Sequence, residues 1–158
     1  MNDDQTQARV MIHYTMAVYA NSVDSGDVEG VVSAFAEDAQ LELSGGLAVR
    51  GRAAIRAFYE PVIGASRPDR QPGEPLPLLR HNLTTSRVEF VSDAVAQGWT
   101  YFMSVSRHGL DHTGRYIDRF VRHGERWLID DRRIVVEWYG TPSWYHTVRL
   151  KGAGRPAA

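Results

Sequence analysis

The hydrophobic spacing of this chain is helical over roughly its first sixty residues and strand-like over most of the remainder. That order restricts the fold more than any single motif does. From Gln5 to Asn21, the positions Val10, Met11, Tyr14, Ala17, Val18 and Asn21 recur at intervals of three and four, which predicts a helix with one buried face. Ser25-Gly26-Asp27 ends it, and Asp27 is suited to cap a second helix reaching Phe35, with Val28, Val31, Val32 and Phe35 as its apolar stripe. Leu41 and Leu43 alternate with charged or small residues as a short strand, and Gly45-Gly46 turns the chain. Arg52 to Ile63 reads as a third helix, with Ile55, Phe58, Tyr59 and Val62 on one side.

Residues 66–77 hold four of the seven prolines together with Gly73, the composition of a loop. Long alternating stretches follow at Leu79–Val91, Ala94–Arg107, Arg115–Arg122 and Arg126–Trp138, with turn signals at Ser92-Asp93 and His123-Gly124-Glu125. Helices first and antiparallel strands last predict an α+β fold rather than a doubly wound sheet. The 158 residues suit a single domain over 1–150, with the Gly- and Pro-containing stretch 151–158 as a disordered tail.

Composition narrows the function. A hydrophobic fraction of 43% with four Trp, seven Tyr and five Phe suits a packed core. A net charge of −1 gives no basic excess for nucleic acid or anionic membranes. The absence of cysteine excludes disulfides, thiolate nucleophiles and Cys-based zinc sites. The polar, acidic start Met1-Asn2-Asp3-Asp4 does not read as a signal peptide, and no apolar run approaches the ~20 residues of a membrane span. A soluble, cytoplasmic protein is expected.

Three signatures carry a resemblance. The first is Tyr19-x4-Asp24-x2-Asp27-x7-Phe35-x2-Asp38-Ala39, continued by Arg50-Gly51-Arg52-x2-Ile55. The second is the strand that His81 opens, and the third is Gly114-Arg115-Tyr116-x-Asp118-x7-Arg126-Trp127-x4-Arg132. Together they resemble the SnoaL-like branch of the nuclear transport factor 2-like superfamily, with similarity to scytalone dehydratase, hexachlorocyclohexane dehydrochlorinase and bile-acid dehydratase. The resemblance implies a cone-shaped, strongly curved antiparallel or mixed sheet wrapped around three N-terminal helices, with the ligand inside. It also implies an acid–base dyad of Asp24 and His81, with Tyr19 and Arg132 as further cavity residues. Tyr14, Phe58, Tyr101 and Trp138 are the candidate substrate-binding residues. Val23 stands where scytalone dehydratase carries a tyrosine, which argues against that particular substrate. The resemblance further implies a homodimer or homotrimer and a lyase that needs no cofactor. An isomerase or cyclase with the same dyad, or a non-catalytic binding module, are the alternatives.

Each candidate also has a plainer reading. Asp24 could cap a helix end, and Asp27 is fully explained as a cap. His81 taken alone would be a structural histidine, and Tyr19 a core aromatic. Arg132 shares a strand face with Leu128, Ile134, Val136 and Trp138, so it either pairs with a carboxylate such as Asp118 or Asp130 or holds an anionic group. Arg115, Asp118 and Arg119 could form a surface ladder. His108 and His112 beside Asp111 have a spacing that metals use on helices but lie in a Gly-rich hairpin, so no metal site is assigned. No phosphate loop, nucleophile elbow or dinucleotide fingerprint occurs. The stretch Trp138–His146, broken by Gly140 and Pro142, is expected to cover the mouth of the cone or a subunit contact.

Overall fold

The computed structural model describes residues 3–63 and 79–145. Helix α1 (Asp3–Ser25) buries Ala8, Ile12, Met16, Tyr19 and Val23, which recur once per turn along one side. This is not the expected face: Val10 and Tyr14 are each 63% exposed. Two apolar stripes compete on this helix. The one with Ile12, Met16 and Tyr19 wins because it withdraws more apolar area from water than a stripe ending in Asn21.

Asp27 caps α2 (Val28–Ser33) by accepting the Gly30 N–H at 2.9 Å. The helix stops short of Phe35, which instead opens β1 (Phe35–Leu43), a longer strand than the Leu41–Leu43 pattern suggests. Phe35, Ala39 and Leu41 are wholly buried in it. Gly45 and Gly46 take φ of 109° and 88°, a turn that L side chains rarely adopt, and return the chain as the unexpected short strand β2 (Leu47–Arg50). Helix α3 (Arg52–Ile63) has the expected bounds and buries Ile55, Tyr59 and Ile63, with Phe58 and Val62 packed partly against the core. Arg52 fastens its start to β1, donating to the Phe35 carbonyl from Nε at 2.9 Å and Nη2 at 2.6 Å.

Four long strands follow: β3 (Leu79–Ser92), β4 (Val95–Ser106), β5 (Gly109–His123) and β6 (Arg126–Tyr139). β5 starts at Gly109 rather than Arg115, so His112 belongs to a strand and not to the hairpin. The six strands form one open mixed sheet in the order β2-β1-β6-β5-β4-β3, in which only the β1–β6 pairing is parallel. With its helices N-terminal, the fold is α+β as expected. The helices lie on one face, α1 against β6 and β3 and α3 against β1 and β2. Thr15 ties α1 to the sheet by donating to the Trp127 carbonyl at 2.5 Å.

On β4 the inward side chains are Ala96, Thr100, Phe102 and Ser104; on β5 they are His112, Tyr116, Asp118 and Phe120. The register sets Ser104 beside His112 and Thr100 beside Tyr116, so these residues form rows across the sheet. The loop expected at 66–77 and the tail at 151–158 lie outside the described residues. Among those described, no helix is long and apolar enough to cross a membrane.

Two glycines on the inner face leave room for close approach. A Cβ at Gly114 would stand 2.0 Å from the Val135 carbonyl oxygen, and one at Gly98 2.8 Å from the Phe120 ring. Gly98→Ala should cost about 1–3 kcal/mol as an overpacked core site, and Gly114→Ala at least as much, because backbone cannot step aside as a ring can. Denaturant unfolding checks this; wild-type stability in both variants would contradict the packing described.

Candidate active site

Asp24 occupies the last turn of α1 and His81 the third position of β3, so two element ends bring them together. One oxygen of Asp24 accepts the His81 backbone N–H at 2.9 Å; the other lies 2.6 Å from His81 Nδ1. A carboxylate only accepts, so Nδ1 carries a proton, and in the neutral imidazole Nε2 is the nitrogen with the lone pair. The double grip fixes both the backbone and the ring of the histidine. Arg80 adds a bond to the Asp24 backbone carbonyl at 3.3 Å. Little of either side chain is exposed, 7% for His81 and 11% for Asp24. Phe102 and His112 flank the imidazole, with ring centres 6.1 and 5.9 Å away.

Arg132 is wholly buried and pairs with Asp118 through Nε and Nη2, each at 2.8 Å. Of the two readings left open for it, the structure shows the carboxylate pair, and Asp118 is no part of a surface ladder. Arg115 and Arg119 do form outward pairs, with Glu137 and Asp130. The guanidinium lies between the rings of Tyr19 and Tyr116, 4.2 Å from each centre. Burial works against its charge, but Asp118 outweighs that and holds the proton more firmly than in water. Nη1 has no hydrogen-bond partner among the described residues. The Tyr19 hydroxyl meets that of Tyr59 at 2.6 Å. Burial raises the pKa of Tyr19, with Arg132 opposing, and raises those of Tyr59 and Tyr116 well above the usual phenol value.

The candidate lining residues fare differently. Tyr14 stands outside, because the helix turns its other face inward. Tyr101 alternates with the inward Thr100 and Phe102 and is 50% exposed on the outer face of β4. Trp138 is 48% exposed at the end of β6. Phe58 is partly buried, edge-on to Tyr59 at 5.0 Å. None of the three exposed side chains joins Asp24 and His81. A concavity of about 470 Å³ lies elsewhere, against outward residues such as Gln97, Trp99, Ile117 and Arg119.

Sequence reasoning missed a second imidazole–carboxylate pair. His112 and Asp111 are 3% and 2% exposed, and His112 Nδ1 lies 2.8 Å from Asp111 Oδ1. The alternation His112, Gly114, Tyr116, Asp118, Phe120 carries the signal, but a strand begun at Arg115 hides it. His108 is exposed and apart from this pair. Among the described residues no group of three or more His, Cys, Asp or Glu side chains could hold a metal ion.

Removing one partner of the Arg132–Asp118 pair would strand a buried charge. Arg132→Met and Asp118→Leu should each cost about 3–5 kcal/mol, and the double variant less than the sum of the two. Strict additivity in equilibrium unfolding would show that the two charges do not interact.

Comparisons with known proteins agree with this architecture. A protein of unknown function from Mycobacterium tuberculosis has 25% identity and a TM-score of 0.72, over 88% of this chain and 77% of its own. A protein proposed to be a scytalone dehydratase, from Novosphingobium aromaticivorans, has 19% identity and a TM-score of 0.73, over 89% and 91%. A type 2 hexachlorocyclohexane dehydrochlorinase has 17% identity and a TM-score of 0.69, over 87% and 90%. At 17–19% identity, the last two likenesses speak for the fold alone. No curated protein matches the sequence. The model of the SnoaL-like domain matches residues 4–133, and the chain therefore belongs to the SnoaL-like family.

Proposed function

We propose that the chain is a dehydratase-type lyase working without a cofactor, with His81 as base and Asp24 as its partner. The observation that carries this reading is the two-point grip of the Asp24 carboxylate on His81. It orients the imidazole, places the proton of the neutral ring on Nδ1 so that Nε2 presents its lone pair, and stands ready to balance the charge once Nε2 takes a proton.

In this reading the substrate is a hydroxylated aromatic, polyketide-like or steroid-like molecule whose C–H is acidified by a neighbouring carbonyl. Nε2 takes that proton, the C–H electrons become the new double bond, and the His81 imidazolium returns the proton to the departing hydroxyl, which leaves as water. Tyr19 and Arg132 are already engaged with Tyr59 and Asp118. In this reading the part of Arg132 is played by Nη1, the end of the guanidinium that Asp118 does not engage, which stabilises negative charge on the substrate oxygen, and Tyr19 packs against it and holds it in place. Isomerisation or cyclisation would begin with the same proton abstraction. The dehydratase form is favoured because structures of a proposed scytalone dehydratase and of a dehydrochlorinase share this fold.

The test is turnover of hydroxylated ketones of those classes, followed by the absorbance of the conjugated product. His81→Ala should lower kcat/KM by ~10²–10⁴-fold, the usual share of a positioned base, and abolish any base-dependent limb of the pH profile. Asp24→Asn keeps the size but loses the charge, and should fall steeply too. The double variant should be little worse than either single one. Folded variants with full activity would overturn the mechanism. Tight binding of such ketones without turnover in the wild type would favour the binding-module reading.

A further inference from the structure

The pairing of β4 with β5 is regular except between Ser104/Val105, where Ser104 faces His112 but Val105 faces Leu110. The extra residue is Asp111, and a bulge of this kind re-aims the side chain it carries. Asp111 is thereby turned into the C-terminal turn, residues 140–145. Its carboxylate accepts the Ser143 hydroxyl at 2.8 Å and the Trp144 backbone N–H at 2.9 Å, besides His112 Nδ1–H. Its backbone carbonyl accepts the Gly140 N–H at 2.8 Å. One residue thus gathers four donors, three of them from the turn.

The same turn reaches the candidate active site through His112. Tyr145 stacks on the His112 ring at 5.3 Å, and the His112 ring lies 5.9 Å from that of His81. We propose that Asp111 and His112 are positioning residues that seat the C-terminal turn against the Asp24–His81 pair, forming a latch on the site. The effect on turnover rests on the acid–base reading above; the latch itself does not.

Titration follows from the surroundings. The groups facing His112 are Asp111 on its own strand, His81 on β3 with Asp24 behind it on α1, Tyr139 on β6 and Tyr145 from the turn. Burial lowers the pKa of His112, Asp111 opposes this, and His81 adds to the lowering. For Asp111 burial acts upward, but the Trp144 N–H, His112 and Ser143 bonds prevail and its pKa falls. Tyr145 covers the His112 ring, so opening the turn exposes the imidazole to water, relieves part of the burial that lowers its pKa, and lets it bind more protons. Closure is therefore complete above the ordinary histidine range and weakens as pH falls through it.

The experiment is amide hydrogen exchange read by NMR at Trp144 in the full chain, with Phe102 in β4 as an internal control. Asp111→Asn puts an N–H where one donor now binds, so Trp144 protection should drop about tenfold or more while Phe102 stays protected. In the wild type the Trp144 protection factor should fall between about pH 8 and about pH 5. Should Asp111→Asn fail to fold, Ser143→Ala removes one bond of the latch and should give a smaller drop at the same amide. Protection that is unchanged in the variants, or constant with pH, would show that packing of Trp144 and Tyr145 alone holds the turn. Turnover of an identified substrate then separates the two readings. If His81→Ala abolishes activity but an opened turn leaves it intact, the turn does not position the site. If neither variant alters activity while exchange changes as expected, the latch stands and the acid–base mechanism fails.

Discussion

Arg132 has no contact with water, and its two bonds to Asp118 are what allow a guanidinium to persist at that depth. The pair joins β5 to β6 at directly opposed positions, so it also pins their register. Its positive face then organises aromatic rings from separate elements: Tyr116 from the sheet and Tyr19 from α1, with Tyr59 of α3 bonded to Tyr19. Fixing Tyr19 fixes the rotation of α1 about its axis. Asp24 follows five residues later, about 7.5 Å along the axis and some 140° around it. The direction in which Asp24 points is thus set by a charge pair on the far strands.

The two histidines of the inner face show how surroundings decide the part a residue plays. Both have Nδ1 on a carboxylate, and they lie in one row with Ser104 between them in the sheet. The carboxylate of His81 comes from a helix end and also holds the backbone of the histidine it serves. That of His112 comes from the adjacent residue and spends its other capacity on the C-terminal turn. His112 Nε2 faces the Ser104 hydroxyl at 3.3 Å. One pair is arranged around its imidazole, the other around a neighbouring segment of chain.

The fold class was legible because the change from helical to alternating spacing survives any error at the element ends. The meeting of Asp24 and His81 was legible only through the family resemblance, since no local rule joins residues so far apart in the chain. The buried face of α1 was not, because Val10, Tyr14 and Val18 form a rival stripe at the same helical spacing, and the greater apolar area of Ile12, Met16 and Tyr19 counts only once the rings they pack against are in place. The spacing of Phe35 after Val32 fits a helix end; pairing with Ile129, a long-range partner, makes it a strand. Tyr101 fell to strand parity, and Asp111 with His112 to a strand start placed too late. Bulges defeat alternation in particular, as they break the period by which inward residues are read.

The parallel pairing of β1 with β6 has a consequence for how the chain is made. Phe35 faces Ile129, and Gln40 through Leu43 face Asp131 through Ile134. Until β6 has left the ribosome, β1 has only the short strand β2 beside it, and its other edge is an unpaired apolar template. Contacts that distant close a long loop and are slow to form. The emerging N-terminal part therefore carries the edge of β1 that faces β6 unpaired through most of its synthesis, until the last strand of the sheet is made.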